Sequence, residues 1–136
     1  MILYAVIRKR GYDEEVVLVV EILKITKCLG DEIRLRILNI LSYADLYVCE
    51  IAEILNLPQS TVSRHLLILK EASLVGYNKK GSWISYNLVK NDIYESFLKN
   101  IIEYNYSHYI KFKDDLIRAK NRLNGTRGCK LKDWEL

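Results

Sequence analysis

The single proline of the chain, Pro58, falls between two short stretches of helical periodicity. Ahead of it, LYVCEIAEILN sets Val48, Ile51, Ala52 and Leu55 on one side of a helix. Behind it, QSTVSRHLLILK predicts a second helix from about residue 58 to residue 72. A proline lacks an N–H and is tolerated in a first helical turn, so Pro58 must end one helix and open the next. Two short helices around a tight break form a helix-turn-helix pattern. Leu66 and Leu69 would anchor the second helix, with Leu67 or Ile68 at the margin. Its first half is polar: Gln59, Ser60, Thr61, Ser63, Arg64 and His65. In such a pair the second helix enters the DNA major groove with its N-terminal residues against base edges. Gln59 suits adenine, Arg64 suits guanine or a phosphate, and the short hydroxyls allow close approach. The helix N-terminus adds a favourable dipole toward phosphate. A polar helix end is also common on any globular surface, so the order of the neighbouring elements has to decide.

That order supports the DNA reading. SLVGYNKKGSWISYNLV alternates and predicts two strands joined by a turn at Lys79 to Ser82. Trp83, Ser85 and Asn87 would share one face and Ile84, Tyr86 and Leu88 the other. A basic hairpin after a helix-turn-helix is a wing, and Lys79 and Lys80 would lie over phosphates. Upstream, DEEVVLVVEILKITKCLG has acids in its first turn and lysines in its last, as a helix dipole favours. Its apolar residues cover most of the circumference, which suits burial or a subunit contact. Asp31 caps a further helix, EIRLRILNILS, and Tyr43 to Asp45 form a loop. From Asp92 to about Leu123 the helical pattern returns. There Asn105, Tyr109, Phe112, Leu116, Ala119 and Leu123 form a heptad-like seam. Residues 2–7 fit either a short strand or a helical turn. The expected class is mainly α with a small β-hairpin wing: a single domain over residues 1–124, then a flexible tail, 125–136, bearing Cys129.

With 136 residues, half of them apolar, the chain suits one core, and a formal charge of +4 is compatible with a polyanionic partner. Three scattered cysteines argue against a secreted disulfide scaffold and for reduced thiols in a cytoplasm. No apolar run reaches membrane-spanning length. At the start, MILYAVIRKRG places its basic cluster after a short apolar run, the reverse of a signal peptide.

KCLGDEIRLRILNIL, LYVCEIAEILNLPQSTVSRHLLILKEASLV and GSWISYNL resemble the ArsR–SmtB family of winged-helix repressors. The resemblance covers roughly residues 20 to 90. It implies a homodimer joined through its terminal helices, binding double-stranded operator DNA and released by an inducer, usually a metal or metalloid ion. One departure is Ser73, where the family usually has glycine. The family's arsenic motif has two cysteines flanking a valine; here the matching residues are Tyr47, Val48 and Cys49. A soft trivalent metalloid takes about three thiolates. Cys49 of that motif is not enough alone; the remaining cysteines, Cys129 on the tail and with it Cys28, would complete an As(III) or Sb(III) site, although Cys28 better suits a small buried apolar residue. No resident cofactor is required. The family's zinc site is not expected, because His108 has no second histidine at ligand spacing and His65 lies on the reading helix. An alternative is oxidation, two thiols meeting as a disulfide or persulfide.

Two rival classes remain. Winged helices also dimerise methyltransferases, but those enzymes need a glycine-rich loop after a strand, and the chain has none. Ser63 and His65 are too close along a helix to face each other. A winged helix that binds protein and no DNA predicts no salt-dependent duplex binding.

Overall fold

A computed structural model describes residues 14–125 and 127–129. The open reading of residues 2–7 and the end of the tail lie outside them. In chain order the elements are α1 (Glu14–Leu29), α2 (Glu32–Leu41), β1 (Leu46–Tyr47), α3 (Val48–Leu55) and α4 (Gln59–Glu71). Then come β2 (Val75–Lys80), β3 (Trp83–Leu88), a π-helical turn (Tyr94–Leu98) running into α5 (Lys99–His108), and α6 (Ile110–Leu123). The three strands form one antiparallel sheet in the order β1-β3-β2.

Local chemistry sets the boundaries. The Asp31 carboxylate accepts from the Arg34 N–H at 3.2 Å and caps α2. Asn56 takes a left-handed conformation, φ 54°, after α3. Pro58 is extended at the N-cap of α4, and its carbonyl accepts from the N–H groups of Thr61 and Val62. Beyond α4, Ser73 sits at φ 59°, while Leu74 N–H donates to Leu69 C=O and Ser73 N–H to Lys70 C=O. This is the helix-ending geometry that favours glycine, met here by serine. The core joins α2, α3 and α4 through Ile37, Leu38, Ile51, Val62, Leu66 and Leu69, all fully buried.

Two elements differ from expectation. Leu46 and Tyr47 are strand rather than helix, because they pair with Tyr86 and Ser85 of the wing. The long C-terminal helix breaks at Tyr109, whose backbone is extended at φ −120°, ψ 120°. After the break α6 packs on α2, α3 and α5 of its own chain. Phe112 and Ala119 of the seam are buried there, and Tyr109 is exposed. The physical reason lies in residues the heptad count ignored. Asp115, fully buried, accepts from Arg36 Nε at 2.7 Å and Nη2 at 3.0 Å, and Asn39 Nδ2 donates to the Phe112 carbonyl at 3.0 Å.

Candidate nucleic-acid interface and thiol site

Val62, Leu66 and Leu69 form the buried stripe of α4, and each is completely inaccessible. Gln59, Ser60, Ser63 and Arg64 are exposed on the opposite side of its first turns, with Thr61 half-buried. Leu67 and Ile68 are exposed toward the end of the helix. His65 corrects the sequence reading. It is 9% exposed, and Arg34 Nη1 donates to its Nδ1 at 3.2 Å. Asp31 Oδ1 lies 3.9 Å away. Burial lowers the His65 pKa, and the charges of Arg34 and Arg64 lower it further against the pull of Asp31. The ring thus faces the α1–α2 corner, where Arg34 also bonds the carbonyls of Cys28 and Lys27. The spacing held this signal: position 65 lies three residues after Val62 and four before Leu69, on the buried stripe.

In the wing, Lys79 and Lys80 are exposed at the end of β2. Lys80 pairs with Trp83 across Gly81 and Ser82, and Gly81 takes φ +61°. Positive φ is the turn's requirement and glycine meets it without a Cβ clash. Lys70 adds charge beside the wing, its Nζ 4.2 Å from the centre of the Tyr77 ring.

Cys49 lies in the first turn of α3, buried, and is disulfide-bonded to Cys129 with the Cα atoms 5.6 Å apart. The expectation of a flexible tail therefore fails for residues 127–129, which lie against α3. Their anchor is Glu50, a fully buried carboxylate that the sequence reading missed. Arg127 Nε donates to Glu50 Oε2 at 2.9 Å, and Arg127 Nη2 reaches Glu50 Oε1 at 3.3 Å and the Asp45 carbonyl at 3.0 Å. The N–H groups of Tyr47 and Gly128 also donate to Glu50, at 2.9 Å and 3.3 Å. Burial alone would raise the Glu50 pKa, but these hydrogen bonds and the Arg127 charge outweigh it, and the net shift is downward.

Cys28 is not brought to this pair. It is a free, buried thiol in the apolar core at the end of α1, its pKa pushed up by burial despite the nearby Arg34 charge. Among the described residues no three His, Cys, Asp or Glu side chains are grouped to hold a metal ion. His108 is exposed and stacks on Tyr104 with ring centres 4.0 Å apart.

A sequence profile of the bacterial regulatory proteins of the arsR family matches residues 31–77, from the cap of α2 into β2. Over 73 residues the chain is 41% identical to an HTH-type transcriptional regulator of Methanocaldococcus jannaschii, covering 53% of this chain and 82% of that one. The chain belongs to the ArsR family. It is 43% identical over 63 residues to an arsenic resistance transcriptional regulator of Pseudomonas putida, covering 46% of this chain and about half (49%) of the relative. A homodimeric winged helix-turn-helix DNA-binding domain from Mycobacterium bovis superposes with a TM-score of 0.61 at 25% identity, over 72% of this chain and 94% of that one. This ArsR-family chain is thus a DNA-binding transcriptional regulator and not an enzyme. No helix among its described residues is long and apolar enough to cross a membrane.

Proposed function

We propose that the chain acts in the cytoplasm as a homodimer on operator DNA, and that the Cys49–Cys129 thiol pair releases it by engaging As(III) or Sb(III). The observation that carries this reading is the placement of Cys49 and Cys129 together at the start of α3, the helix immediately before α4. A ligand clipped between them changes how α3 is held, and α4 moves with it. Only an inducer that binds the DNA-incompetent arrangement more tightly shifts the balance, with a coupling of about 1–3 kcal/mol. Gln59, Ser60, Thr61, Ser63 and Arg64 face the major groove, and Lys79 and Lys80 the phosphates. Two reading helices would enter successive grooves ~34–36 Å apart on an imperfect palindrome. Exposed apolar residues on the terminal helical segments, Ile22 and Leu23 on α1 and Phe97, Tyr104 and Tyr106 around α5, fit a subunit contact.

A second reading is favoured by the bridge itself. With Cys28 in the core, a metalloid on this pair needs a third donor from elsewhere, whereas oxidation needs only Cys49 and Cys129. The test is a fluorescence anisotropy titration on the upstream intergenic DNA, with the reduced protein and with arsenite, antimonite or peroxide added. Release by arsenite and antimonite, abolished in Cys49→Ser and in Cys129→Ser, supports the first reading. Release by peroxide alone replaces it with the second, and undiminished induction in both serine variants removes both.

A further inference from the structure

We propose that Glu50 is the receptor for a tail latch, and that Arg127 and Gly128, rather than the sulfur–sulfur bond, bring Cys129 to Cys49. This rests on the thiol-pair reading above and names the residues that position the pair. Glu50 follows Cys49 directly, and Cys129 follows Gly128 directly. The anchoring contacts therefore sit one residue from each thiol.

Glu50 is fully buried, and among the described residues one of its hydrogen bonds, from the Tyr47 N–H, comes from its own end of α3. The others come from Arg127 and Gly128, more than seventy residues downstream. Arg122 of α6 adds its Nη1 at 3.8 Å, and its guanidinium also donates to the Gly128 carbonyl. A buried carboxylate requires such partners. The opposite wall is equally specific. Gly128 takes φ +88°, and a Cβ there would lie 2.3 Å from Trp83 Cζ3. Trp83 is braced edge-on by Tyr47, with ring centres 5.2 Å apart. The backbone of residue 128 is thus confined between a carboxylate of α3 and an indole of the wing. None of these contacts involves sulfur. The latch stays closed in the dithiol form, and the entropy of closing an 80-residue separation is then largely met before any sulfur reacts.

The consequence is a high effective concentration of one thiol at the other. Toward oxidised glutathione, one thiolate of the pair attacks a glutathione sulfur and expels a glutathione thiolate. The second thiolate then attacks the mixed disulfide and expels another. The protein loses two electrons and two protons, and two molecules of glutathione thiol are formed.

The test equilibrates the full chain in glutathione buffers and measures the oxidised fraction by thiol alkylation, with circular dichroism confirming the fold. Arg127→Met should lower the equilibrium constant by about fivefold or more, with partial recovery in Arg127→Lys. Gly128→Ala, which leaves every charge around Glu50 in place, should lower it by a similar factor. A smaller fall in either variant, or no recovery with lysine, overturns the latch. Anisotropy on the same samples separates the two ideas. DNA affinity that ignores the thiol state, alongside the expected falls, removes the sensing reading and leaves the latch supported.

Discussion

Replacing Asp115 with alanine should destabilise the protein heavily, because it strands a buried cation. Arg36 is 8% exposed and Asp115 is completely inaccessible. The guanidinium makes two hydrogen bonds to the carboxylate, at 2.7 Å and 3.0 Å. Its hydrogen bonds to Asp115 raise the Arg36 pKa, and even without that partner a guanidinium does not deprotonate in a protein, so the charge stays when Asp115 goes. Removing one member of such a pair costs about 3–5 kcal/mol. For a chain of this size that is a fall in Tm of roughly 10–17 °C. Arg118 also bonds Asp115, at 2.6 Å, but its side chain is half-exposed, so Arg118→Ala should cost no more than about 1 kcal/mol. The double variant Arg36→Met with Asp115→Leu should recover most of the loss, because apolar replacement of a buried pair is often neutral. Urea unfolding in reductant, at one fixed protein concentration, measures all four proteins. A loss under about 1 kcal/mol for Asp115→Ala would show that water reaches Arg36 and refute the packing of α6 on α2.

Ser73→Gly should stabilise the protein by about 0.5–1 kcal/mol, since a left-handed serine costs ~1–2 kcal/mol and the added chain entropy of glycine offsets part of the gain. The urea midpoint should rise without a change in slope. His65 and Glu50 both have folded-state pKa values below their ordinary ones, 6.5 and 4.5. Each therefore contributes stability that is full above its ordinary pKa and is lost as pH falls through its folded value. A stability–pH profile should decline first below 6.5, and His65→Gln should flatten that step while leaving the acid step. Removing Lys79 or Lys80 should weaken binding to every duplex alike and reduce the log–log salt slope by about one each. Gln59→Ala should instead relax preference at one base pair, by about 1–3 kcal/mol in anisotropy competitions.

The helix-turn-helix, the wing and the solvent-facing edge of α4 were legible in the chain itself. A proline between two helical periods, the stripe of Leu66 and Leu69, and the alternation through the wing are signals between residues a few positions apart, and backbone sterics read them without any distant partner. Even the inward turn of His65 was present in its spacing from Val62 and Leu69. The folding-back of α6, the burial of Glu50, the strand at Leu46 and Tyr47, and the separation of Cys28 from the other two thiols were not. Each depends on a partner far along the chain: Asp115 for Arg36, Arg127 for Glu50, Tyr86 for Leu46, Cys129 for Cys49. A charged residue reads as solvent-facing until the group that neutralises it is known. Only the closed tertiary structure brings that group within hydrogen-bonding distance.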